Sequence, residues 1–181
     1  AEALRAGKDV FVEKPIALHV AEARELAQLA AAQGRILMVG HLLQYHSGFI
    51  RLKEIARSGS LGHIRHMTSS RLNLGLIRSE ENVIWSFAPH DISMLLAIAG
   101  ALPERVSAVG TTVLQEGIPD IATVHMQFAG GLKADINLSW LHPQKEQQLI
   151  VVGDDGMAVF ADTKPWSEKL RIHRNKVAWA D

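Results

Sequence analysis

Three groups of side chains in this sequence have the types and spacing for chemistry on a polar small molecule. The first is Glu13-Lys14-Pro15, which closes the apolar run Val10-Phe11-Val12. A carboxylate accepts hydrogen bonds from hydroxyls. A partly desolvated ammonium has a lowered pKa and can orient or deprotonate one. Proline stiffens the turn, and the bond before it is the one peptide bond that is at times cis. The plain alternative is a strand that ends in a solvated charge pair. The second group is His90, in Trp85-Ser86-Phe87-Ala88-Pro89-His90-Asp91-Ile92. Imidazole titrates near neutral pH and is the commonest general base. The proline predicts a helix start here, with His90 directed into a cleft and Asp91 in the first turn, where a carboxylate suits the helix dipole. The alternative is that Asp91 caps the helix and His90 is a surface group.

The third group is Arg71 with Asn73. Loose alternation over residues 64–73 puts Arg65, Met67, Ser69, Arg71 and Asn73 on one side of a strand. The guanidinium fork of Arg71 suits a carboxylate or phosphate; a solvated sheet face is the alternative. Gln44 and Tyr45 follow a second apolar run, again at a carboxyl edge where ligands gather. No metal centre is expected. The nine histidines contain no His-x-x-x-His or His-Glu-x-x-His pair. The lack of cysteine removes thiol nucleophiles, thiolate sites and disulfides.

These groups need elements to hold them. Residues 1–6 read as the end of a helix stopped by Gly7, and Val10–Val12 as a buried strand. A helix over 19–33 and a strand over 36–40 complete a crossover unit with parallel strands. A helix Ser47–Arg57 follows, then the strand over 64–73, a polar loop over 75–82 and a helix over 89–99. Strands are predicted over 106–114, 121–129, 132–141, 149–152, Met157–Ala161 and Leu170–His173, with Gly130-Gly131 turning a hairpin. Leu132, Ala134, Ile136, Leu138 and Trp140 alternate with polar residues, so this sheet has one buried face. The fold class is a small α/β part over 1–41 followed by an α+β domain over 42–181 with a large, mostly antiparallel open sheet.

The 181 residues are 48% hydrophobic and 21% charged, and 19 basic residues balance 19 acidic ones. No basic field points to nucleic acid or an anionic membrane. No apolar run approaches the roughly 20 residues that span a bilayer, and no targeting pattern is present. A cytoplasmic location is expected.

Taken in order, Ala6-Gly7-Lys8-Asp9-Val10-Phe11-Val12-Glu13-Lys14-Pro15, Val39-Gly40-His41, Gly59-Ser60-Leu61-Gly62-His63-Ile64 and His90-Asp91-Ile92 resemble the glucose-fructose oxidoreductase/inositol dehydrogenase (Gfo/Idh/MocA) family. The resemblance implies a nicotinamide-dependent sugar or polyol dehydrogenase using NAD or NADP. Residues 1–41 would be the C-terminal part of its Rossmann domain, and 42–181 its domain for substrate binding and oligomerisation. It further implies that Lys14 sits beside the reacting hydroxyl and that His90 is the general base. Glu13, Lys14 and Pro15 would face the cofactor. Segments 71–75, 85–91 and 139–143 are similar to nucleotide-sugar 3-dehydrogenases. That implies substrate contacts from Gln44, Tyr45, Arg71, Asn73, Trp85 and Asp91, with a UDP-sugar acid oxidised at its 3-hydroxyl. A free polyol is the rival substrate, and a homodimer or homotetramer through the open sheet is implied. There are departures. Ser86 stands where many relatives carry aspartate, so His90 must be oriented otherwise or Lys14 does more of the work. Leu42-Leu43-Gln44-Tyr45 replaces an Asn-Arg-Arg-Phe-like run. No Gly-x-Gly-x-x-Gly turn occurs in the sequence, so a preceding segment is expected to carry it. A truncated, non-catalytic binding module is the rival to an enzyme.

Overall fold

The computed structural model describes residues 1–174, and the chain divides into two compact units, Ala1–Leu42 and a second that begins at Leu43. The first unit contains helix α1 (Glu2–Arg5), strand β1 (Val10–Val12), helix α2 (Val20–Ala32) and strand β2 (Leu37–Val39). The two strands pair in parallel, with Val10 opposite Leu37 and Val12 opposite Val39. Parallel neighbours need a long crossover, and α2 supplies it. Gly34, at φ 60°, turns the chain out of the helix. Asp9 then sets the register, because its Oδ1 accepts the N–H of Ile36 at 2.8 Å.

The second unit packs two helices, α3 (Ser47–Arg57) and α4 (Val83–Ala99), against a seven-stranded sheet. The strands are β3 (Ile64–Leu74), β4 (Arg105–Thr111), β5 (Ile121–Gln127), β6 (Lys133–Ser139), β7 (Leu141–Gly153), β8 (Met157–Ala161) and β9 (Leu170–His173). Their order across the sheet is β4-β5-β6-β3-β7-β8-β9. All neighbours are antiparallel except β3 and β6. The buried face is built from alternate residues, among them Met67, Val124, Ile136, Leu138, Leu149, Val151 and Phe160, which join Phe49 and Leu52 of α3 and Val83 and Leu95 of α4 in one core. The predicted alternation over 132–140 thus faces the helices, and Trp140 is wholly buried.

Three elements differ from the sequence expectation: β1 is not a buried strand, since Phe11 is 59% exposed, and two others start elsewhere than predicted. Helix α4 begins at Val83 and not at Pro89, because the side chain of Asn82 accepts the N–H groups of Ile84 at 3.0 Å and Trp85 at 3.2 Å. That cap and the apolar stripe Val83, Ala88, Met94 and Leu95 outweigh the helix bond that Pro89 cannot make. His90 and Asp91 therefore lie in mid-helix, away from the positive end of its dipole. Strand β7 starts eight residues before the expected 149, at Leu141. Charged residues and Pro143 masked it. Pro143 falls where the β3–β7 register shifts between Leu72 and Leu74, and proline is tolerated in sheets at such irregularities.

Candidate active site

In the first unit, chemistry collects at the carboxyl ends of the parallel pair. Glu13 is exposed and Lys14 half-buried just beyond β1, and the Lys14–Pro15 bond is cis. Gly40 follows β2 and is buried. A Cβ added there would lie 3.2 Å from both carboxylate oxygens of Glu13. Glycine is therefore what lets the Glu13 carboxylate lie against the end of β2. The result is a carboxylate acceptor, followed in sequence by a half-buried lysine, where open α/β sheets take ligands. That pair fits the hydroxyl-bearing end of a dinucleotide. A pyrophosphate would need the backbone N–H groups of a glycine-rich turn, which these residues do not supply.

In the second unit, β3 and α4 meet over a buried polar cluster. Arg71 Nε donates to Asp91 Oδ2 at 2.6 Å, and its Nη2 to Asp91 Oδ1 at 3.3 Å. Ser69 Oγ donates to the same Oδ1 at 2.5 Å. The side chains of Arg71 and Asp91 are 9% and 1% exposed. The fork expected to face an acidic ligand is thus closed on Asp91, and Asp91 points into the core. The reason lies in the strand's alternation, since Met67, Ser69 and Arg71 share the face that the helices cover. His90, next along α4, is half-buried. Ser93 Oγ donates to the His90 carbonyl at 2.8 Å, and Gln44 Nε2 donates to the Ser93 carbonyl at 2.7 Å. Gln44 is therefore tied to the helix that carries His90. Asn73 is half-buried beside Gly75, where any Cβ would meet its amide nitrogen at 2.8 Å. Trp85 and Tyr45 are 43% and 64% exposed.

The sequence did not single out Ser69 or Asp120. Ser69 was visible only as a member of the Arg71 face, and Asp120 carried no local signal. Asp120 is buried at the start of β5 and accepts the N–H groups of Val113 and Leu114 at 2.8 and 2.9 Å and the indole N–H of Trp140 at 2.5 Å. Burial works most strongly against its ionisation, but the Leu114, Val113 and Trp140 donors together hold its pKa below the ordinary value. On the face of the sheet away from the helices, Asp135 contacts His66 Nε2 at 2.8 Å and His125 Nδ1 at 2.5 Å. Desolvation again raises its pKa, and the two histidines more than offset this.

Known proteins place this geometry in context. The chain is 27% identical over 168 residues to trans-1,2-dihydrobenzene-1,2-diol dehydrogenase from Bos taurus, a match covering 88% of this chain and 49% of that protein. It is 27% identical over 157 residues to UDP-N-acetylglucosamine 3-dehydrogenase from Acidithiobacillus ferrooxidans, covering 86% and 49%. A crystal structure of an oxidoreductase from Magnetospirillum magnetotacticum superposes with a TM-score of 0.86 at 29% identity, covering 99% of this chain and 58% of that one. The chain spans about half the length of these curated relatives. Residues 1–41 match the NAD-binding Rossmann fold of the GFO/IDH/MocA oxidoreductase family and residues 49–159 match its C-terminal domain, and the chain belongs to that family.

Proposed function

We propose that this chain supplies the substrate side of an NAD(P)-dependent dehydrogenase that oxidises a secondary hydroxyl on a six-membered ring, in the finer reading the 3-hydroxyl of a UDP-sugar acid. The observation that carries the proposal is the Glu13-Lys14-Pro15 corner at the carboxyl ends of two parallel strands, with Gly40 making room for the Glu13 carboxylate. Two relatives support the ring: one is named for a cyclic diol and the other for position 3 of a nucleotide sugar.

A nicotinamide bound at this corner would take the hydride. Glu13 would accept hydrogen bonds from ribose hydroxyls. The hydroxyl proton would pass to Lys14 or to His90 as hydride leaves the carbon. Holding the alcohol carbon against its acceptor supplies much of the rate. Gln44, Asn73, Trp85 and Tyr45 would line the sugar. The Arg71–Asp91 pair would act from between β3 and α4. The open face of the sheet, with Ile150, Val152, Met157 and Val159 half-buried along β7 and β8, would carry self-association.

The test is reduction of NAD+ and NADP+ by the protein that carries this chain, with UDP-N-acetylglucosamine, its uronate and myo-inositol as substrates. The expected result is turnover of a UDP-sugar that falls by orders of magnitude in Lys14→Ala and in His90→Ala. Undiminished turnover in the double variant would remove the assignment. Turnover of myo-inositol alone would replace the nucleotide sugar by a free polyol. Sedimentation would show a monomer if the open face is not an interface.

A further inference from the structure

We infer that the buried Arg71–Asp91 pair, with Ser69, is the device that positions His90, an inference that rests on the catalytic role proposed for His90. Stability does not explain the pair. Asp91 interrupts an apolar helix face of Val83, Ala88, Met94 and Leu95. Taking two charges out of water is costly, and apolar side chains of similar volume commonly serve a core at least as well. The geometry is instead over-determined. Asp91 receives three donor contacts, from Arg71 Nε, Arg71 Nη2 and Ser69 Oγ. Arg71 and Ser69 are alternate residues of β3, at the centre of the sheet. A fork clamped on a carboxylate fixes direction as well as distance.

One feature makes such a clamp useful at this point of the helix. Pro89 has no N–H to give to the carbonyl one turn back, so the ladder of α4 is weakest just before His90. Consecutive helix residues are about 100° apart around the axis. Fixing Asp91 toward β3 therefore fixes the bearing of His90 along the helix flank. The hydrogen bonds from Ser93 Oγ to the His90 carbonyl and from Gln44 Nε2 to the Ser93 carbonyl hold the same segment of α4. Arg71, Asp91 and Ser69 are positioning residues, since none of them is required to touch substrate.

The test compares wild type with the charge-neutral double variant Arg71→Met/Asp91→Leu, and with Arg71→Lys, which keeps the charge but not the fork. The readouts are the pH titration of the His90 imidazole by NMR in the full chain, and kcat, KM and the pH profile of the protein that carries it. The double variant should unfold near the wild-type denaturant concentration. Its His90 resonances and titration midpoint should move, and kcat should fall by up to about 10²-fold with little change in KM, the scale of a small misplacement of a catalytic group. Arg71→Lys should show the same changes, smaller. Wild-type titration and kcat in the folded double variant would overturn the inference, as they would in Arg71→Lys if the double variant did not fold. Undiminished turnover in His90→Ala would instead overturn the role of His90, and the NMR titration would still decide whether the pair holds that side chain.

Discussion

The indole Nε1 of Trp140 donates to Asp120 Oδ1 at 2.5 Å, and both residues are almost completely withdrawn from solvent. The second carboxylate oxygen takes the N–H groups of Val113 and Leu114. One buried side chain thus joins the loop after β4 to the residue that follows β6. The carbonyl of the adjacent Pro119 accepts the N–H of Val83 at 3.1 Å, and Trp140 meets Phe87 edge-on at 6.4 Å between ring centroids. The first turns of α4, and with them the approach to His90, are anchored on this knot.

Asp120→Asn should therefore destabilise the second unit. An amide has one acceptor oxygen, so its NH2 group must face either the indole N–H or the two backbone N–H groups. A buried donor left without its acceptor costs about 1–3 kcal/mol. Urea denaturation at pH 7 measures this. An unchanged midpoint would show that the knot is not under load.

Acid should weaken the same unit in a defined direction. The folded-state pKa values of Asp120 and Asp135 lie below their ordinary values, so the unfolded chain binds protons more readily than the folded one at these sites. Their contribution is present above the ordinary carboxyl range near about 4 and is lost as pH falls through the lower folded values. Denaturation midpoints between neutral pH and pH of about 3 should fall, and less steeply in Asp120→Asn. Asp135→Asn should flatten the acid limb less, because its carboxylate is 32% exposed and solvent screens it.

Arg71 and Asp91 should show strong energetic coupling. Arg71→Met alone leaves a buried carboxylate without its cation and should cost about 3–5 kcal/mol. Adding Asp91→Leu should recover most of that loss. A double-mutant cycle in urea reads the coupling directly, and additive single effects would contradict the buried pairing.

Gly40→Ala should separate binding from stability. The new methyl carbon would press on the Glu13 carboxylate at 3.2 Å, and exposed Glu13 can swing aside. Thermal stability should hardly change. Nicotinamide dinucleotide affinity should fall by about tenfold, the scale of one lost charge-assisted hydrogen bond. Fluorescence titration of the protein carrying this chain checks it, and Glu13→Ala should give the same loss.

Local periodicity determined much of this protein. Helix Ser47–Arg57 and strands Met157–Ala161 and Leu170–His173 lie where the residues predict them, because side-chain spacing and glycine stops act within a few residues. The parallel pair and the buried face of β6 follow from the same short-range pattern, and the family resemblance follows from motif order. The start of α4 was also written locally, in the Asn82 cap, but the competing signal of Pro89 obscured it. The tertiary structure alone decided the place of Arg71 and Asp91. A charged residue in isolation reads as surface, since burial is too costly without a partner. Each becomes a core residue only because strand β3 and helix α4 bring the other, 20 positions away in sequence, to within 2.6 Å. No local pattern encodes that meeting.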